Sequence, residues 1–273
     1  GFEGIELEAV STFCNALGVE LPKIPFHITH LFINPGILFM YIELIKDSKE
    51  KMDISIINPT KVFQSYLNDL ERKFYQLYSN DIDEEDRVVK KAVNTIISLG
   101  TSEDFISFYF DYQNIKQNLT SIHKKVLEFL ISEGVLNKFK TDESTRVYFT
   151  YQKFENFFIA DYLLTKYEDN KKHIFNLLKN HYGAISEALL MQIPEKLNKE
   201  VFELNKWLLR DEYICELYIK SLIWRRPETI NDKTIKYINF MYDSENLSFE
   251  EILDQSLVIN DEIKKYFLNH KYY

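Results

Sequence analysis

The sequence predicts a mainly α protein with a single small β-hairpin, and three observations lead there. The chain has 273 residues with only 7 Gly and 6 Pro against 18 Tyr and 21 Phe, so turn punctuation is sparse and aromatic packing material plentiful. Apolar residues recur at three- and four-residue spacing through most of its length, which is helical period. One run, VYFTYQKFENFFIADYLL from Val147, changes period partway: Val147, Phe149 and Tyr151 alternate as in a strand, and Phe154, Phe157, Phe158, Asp161 and Leu164 then follow at helical spacing.

Glu6 to Leu17 reads as an amphipathic helix through Leu7, Val10, Phe13, Cys14 and Leu17, with Gly18 placed to stop it. LPKIP, from Leu21, is a turn. Asn34 and Pro35 form a cap and first-turn pair for a helix carrying Ile37, Leu38, Tyr41, Ile42 and Ile45. Asn58 and Pro59 repeat the device before a long helix whose stripe is Val62, Phe63, Tyr66, Leu67, Leu70, Phe74 and Leu77. Residues 1–80 thus make a helical domain. The acidic link NDIDEED, from Asn80, leads into a second domain, 81–167. There Val88, Val89, Ala92, Val93, Ile96 and Ile97 give a helix ending at Gly100, and Thr101 to Glu103 offers a fresh helix start before FISFYF. A helix from Ser121 stops at Gly134, a hairpin turns around Asp142 to Thr145, and the period switch follows. Helix, wing, strand and helix in that order describe a winged-helix module. Residues 168–273 read helix after helix, from HIFNLLKNHY to DEIKKYFLNH, without a repeat of fixed period, as an irregular helical domain.

Composition excludes several functions. A formal net charge of −9 disfavours a broad nucleic-acid surface, which needs clustered Lys and Arg. Cys14 and Cys215 match no metal spacing and fit a reducing cytoplasm. His27 and His30 have no third ligand nearby, so no metal site is expected. No stretch approaches the roughly 20 apolar residues of a membrane span, and the first residues do not read as a signal peptide. The chain does not start with Met and reads as a segment of a longer polypeptide. No nucleophile, base and orienter converge, so no catalytic residue is expected.

The run from Phe149 to Ala160 resembles the end of the winged-helix domain of STAND NTPases, the signal-transducing ATPases that include NACHT proteins. Phe149, Tyr151, Phe154, Phe157 and Ala160 fall on the family's pattern; Tyr151 stands where many members have His, and Asn156 where many have Glu or Asp. FINPGILFMYIELI from Phe32, GAISEALLMQIPEKL from Gly183 and YIKSLIWRRPETINDKTIKYI from Tyr218 resemble the bacterial antiviral branch, the Avs proteins. The resemblance implies the regulatory and signal-relay segment of an antiviral STAND ATPase. Such a protein holds ADP in a closed form, senses a phage protein, and homo-oligomerises to switch on an effector. It implies ATP or ADP with Mg in the intact parent, an ATPase core upstream, a repeat sensor downstream, and a cytoplasmic location.

A phosphate loop needs glycines arranged as GxxxxGK followed by Ser or Thr, and this chain has none, so the segment alone is expected neither to bind nucleotide nor to hydrolyse it. The resemblance assigns two positions to the nucleotide site. Pro35 would lie against the adenine, where a rigid apolar ring without a competing donor is suitable; it also has the plain role of opening a helix. Tyr151 would stand near the β-phosphate, able to donate a phenolic hydrogen bond but not to become cationic; equally, it could pack at a strand end with its hydroxyl at the surface. The competing reading is a winged-helix DNA-binding transcriptional regulator. Glu128 and Glu133 on the would-be recognition helix, with Asp142 and Glu143 in the wing, repel phosphate.

Overall fold

The computed structural model describes residues 4–18, 32–47, 59–83, 86–101, 109–168, 170–179, 183–196, 211–224 and 234. These are mainly helical, with one three-stranded antiparallel sheet. The chain divides into two compact units, 63–162 and a second formed from 1–62 with 163–273. Among the described residues no helix is long and apolar enough to cross a membrane.

In the second of these units, α1 (Glu6–Leu17) packs on α2 (Pro35–Asp47). Gly18 ends α1 at φ 65°, a conformation glycine adopts without strain, and its N–H returns to the Asn15 carbonyl. Val10 and Cys14 are buried as expected, but Leu7, in the first turn, is exposed. At the start of α2 the Asn34 side chain accepts from the N–H groups of Gly36 at 3.0 Å and Ile37 at 3.2 Å, the capping that Asn before Pro suggested.

The long helix α3 (Pro59–Tyr78) carries the predicted stripe, buried from Val62 to Phe74; Leu77, in its last turn, is 65 % exposed. Both exposed leucines lie in terminal turns, where a helix overhangs the surface it rests on.

Within 63–162, the Glu71 carboxylate of α3 accepts from the N–H groups of Val89 at 3.0 Å and Lys90 at 2.9 Å. It thereby caps α4 (Val88–Gly100), whose own Ncap residue, Arg87, makes no side-chain capping bond. All six apolar residues read as the buried face of α4 are buried. The helix expected after Thr101 falls on residues 102–108, outside the described set. The last residue of FISFYF, Phe110, instead pairs with Val147 in a two-residue strand, β1 (Phe110–Asp111). Asp111 then caps the short α5 (Tyr112–Asn118), its carboxylate accepting from Asn114 N–H at 2.7 Å.

Next come α6 (Ser121–Ser132), β2 (Leu136–Lys140), β3 (Thr145–Phe149) and α7 (Gln152–Lys166). α6 stops because Gly134 takes φ 70°, letting its N–H reach the Ile131 carbonyl and Val135 N–H reach that of Leu130. The expected hairpin is β2 and β3, paired from Leu136↔Phe149 to Lys140↔Thr145; β1 adds a third strand on the far side of β3, giving the order β1-β3-β2. Phe110, Leu136, Val147 and Phe149 are buried.

The remaining helices among the described residues are α8 (Lys171–Lys179), α9 (Ala184–Lys196) and α10 (Glu212–Trp224), with α8 and α10 packed on α9. Asn170 and Asp211 cap α8 and α10 through their side chains. LPKIP, Asn58, His27, His30 and FELNKWLLR lie outside the described residues, as do the helices read after Trp224 apart from Thr234.

Candidate functional site

The junction between β3 and α7 carries Tyr151, one of the two candidate positions that the sequence named. Thr150 N–H donates to the Val135 carbonyl at 2.9 Å, its hydroxyl donates to the Gly134 carbonyl, and Asn137 Nδ2 donates to that same hydroxyl at 2.8 Å. These bonds clamp the residue before Tyr151 onto the corner between α6 and β2. Tyr151 itself has left the strand. Its carbonyl accepts from the N–H groups of Phe154 and Glu155, both at 3.0 Å, so it is the first residue to accept a helical bond of α7, and its side chain is half-buried. Pro35 is exposed in the first turn of α2, where the Asn34 cap holds it. The two residues belong to different units, Pro35 held by the Asn34 cap and Tyr151 following the bonded Thr150.

α7 contributes a feature that period alone did not show. Every residue from Phe154 to Asp161 is buried, so the helix is enclosed on all sides here rather than amphipathic. Phe154 meets Phe63, Tyr66 and Phe158 with ring centroids 5.6, 5.5 and 4.5 Å away. Three polar side chains are enclosed with these rings. Asp161 pairs with Lys90 Nζ at 3.1 Å. Glu155 is 4 % and Asn156 2 % exposed; among the described residues, Glu155 Oε1 and both side-chain polar atoms of Asn156 have no hydrogen-bond partner. Burial pushes the Glu155 carboxyl up to about 8, because an unpaired charge in an apolar setting loses its hydration. At neutral pH this group is therefore mainly protonated, a potential donor rather than a base. The sequence signal for it was available: Glu155 is flanked by Phe154, Phe157 and Phe158, which leave little polar arc on that turn.

The exposed side of α6 bears on nucleic-acid binding. Lys125 is tied to Asp81 at 2.6 Å. Glu128 accepts from the Tyr112 hydroxyl and lies 3.5 Å from Lys116 Nζ and 3.6 Å from Lys138 Nζ. The Tyr112 hydrogen bond, followed by the two lysines, holds the Glu128 carboxyl below the usual carboxylate range. These three lysines are thus engaged with carboxylates instead of forming an uncompensated cationic face. Among the described residues, no group of three His, Cys, Asp or Glu side chains could hold a metal ion.

No protein-family model matches the chain, and no curated protein matches it.

Proposed function

We propose that this chain is the regulatory and signal-relay segment of an antiviral STAND ATPase, holding a nucleotide-dependent closed state and passing ligand sensing on to oligomerisation. The observation that carries the reading is the β3–α7 junction. Phe149, Phe154, Phe157 and Ala160 fall on the family pattern, with Tyr151 in the place where many members have His, and the strand leads into an enclosed helix with Tyr151 at the turn. The order α4, β1, α5, α6, β2, β3, with β3 central in the sheet, supports taking that region as a winged helix. In this reading Pro35 and Tyr151 face the nucleotide, with ATP or ADP and Mg held mainly by a core elsewhere in the parent polypeptide. A fixed proline ring can lie on adenine, and a phenol can donate to a phosphate oxygen. The chain itself is not the catalyst.

The DNA-binding alternative has less support, since Lys125 on α6 and Lys116 and Lys138 beside it are paired with carboxylates. The reading frame around this chain decides between them. A GxxxxGK loop followed by Ser or Thr upstream, together with ADP released from the denatured parent protein, would support the proposal. A parent without such a loop would end it.

A further inference from the structure

The outward face of the sheet carries an aromatic cluster that the reading above does not use. Tyr109 is 54 % and Phe139 36 % exposed. Together with half-buried Tyr148 they form a triangle of rings, with centroids 5.8 Å (Tyr109–Phe139), 6.0 Å (Tyr109–Tyr148) and 5.6 Å (Phe139–Tyr148) apart. Arg146 lies on the same face, opposite Phe139 on β2 and Asp111 on β1. Asp111 would be its natural cross-strand partner, but that carboxylate caps α5 through Asn114 N–H at 2.7 Å. Among the described residues, no carboxylate lies within ion-pair distance of Arg146, whereas Lys138, on the other face of β2, is turned to Glu128. The face therefore combines exposed rings with an uncompensated, exposed guanidinium.

We propose that this face docks a short extended peptide of another protein, in which a carboxylate is flanked by aromatic or branched apolar side chains. Arg146 would take the carboxylate through paired N–H donors, and the rings would take its neighbours. A nucleic-acid strand would also stack on rings, but the hairpin tip exposes Asp142 and Glu143, which favour a peptide over a polyphosphate.

Random dodecapeptides displayed on phage, panned against the whole chain, provide the test; enriched sequences are synthesised and titrated by fluorescence anisotropy. The expected peptides share Asp or Glu beside an aromatic or branched residue. Arg146→Glu should weaken them by at least about tenfold, as should Tyr109→Ser combined with Phe139→Ser. Panning against Arg146→Glu should select Lys or Arg in place of the acid. All three positions are exposed, and unchanged circular-dichroism melts would show that the variants fold; Arg146→Gln serves if Arg146→Glu does not. The proposal is overturned if no sequence is enriched, if enriched peptides lack an acid, or if Arg146→Glu leaves their binding unchanged. It is equally overturned if oligo(dT) binds and the same substitutions abolish it, or if sedimentation shows self-association that the serine pair removes.

Discussion

Glu155→Gln should make the fold more stable at neutral pH and remove much of its sensitivity to alkali. The wild-type carboxyl is 4 % exposed, and burial raises it to about 8, whereas in the unfolded chain it titrates near about 4.3. Between those two values the folded state binds more protons than the unfolded state, so stability falls as pH rises. The stability is fully present below the unfolded value and its loss is complete above about 8. At about 1.36 kcal/mol per pH unit, the loss by pH 7 is at most roughly 3–4 kcal/mol and the total at most roughly 5. Water entering with the charge would reduce both. Glutamine has nearly the same shape and cannot ionise, so the variant lacks this term in both states. Urea unfolding of both proteins at about pH 4, 7 and 9 measures the difference directly, because other titrating groups, Glu128 included, largely cancel. The curves should coincide near pH 4 and separate towards pH 9, with the variant above. Parallel curves across the range would refute the enclosure of Glu155, as would a variant less stable at pH 7.

Phe154→Ala removes a ring that is 1 % exposed and in contact with Phe63, Tyr66 and Phe158; chemical denaturation should show a loss of roughly 3–5 kcal/mol, and an unchanged midpoint would place the ring at the surface. Glu71→Ala leaves the Val89 and Lys90 N–H groups without their acceptor, so a cost of about 1–3 kcal/mol is expected, with faster amide exchange in the first turn of α4 as the local readout. Under the proposed function, Tyr151→Ala in the parent protein should raise effector activity without the phage trigger, if the residue helps hold a closed state favoured by only a few kcal/mol, while Tyr151→His should behave more like wild type. Basal and triggered activity both unchanged in a folded Tyr151→Ala protein would leave Tyr151 a packing residue.

The helices legible in the sequence are those whose boundaries are local events. α1 ends where Gly18 can turn left-handed, α2 begins where Asn34 can cap, α6 stops at Gly134, and the hairpin follows from alternation on both sides of a polar turn. Each requires only a few neighbouring residues and a period that repeats several times. β1 and α5 lacked that signal: two residues have no measurable period, and seven give less than two helical turns to read. The Asp111 cap was the available clue to α5.

What sequence period could not decide is how much of each helix surface is covered, because the covering side chains come from distant parts of the chain. The same kind of stripe leaves Leu77 exposed and encloses Phe74, whose ring meets Phe129 at 5.3 Å. On α7, Phe63 of α3 meets Phe154 and Lys90 of α4 makes Asp161 half of an ion pair, while burial turns Glu155 into a neutral acid. Likewise Tyr151, alternating with Val147 and Phe149 like a strand residue, lies just ahead of α7 instead, because β3 ends at Phe149 and Thr150 bonds to the Gly134 and Val135 carbonyls. Period is set by the backbone of one segment, whereas burial, and with it protonation, is set by long-range packing.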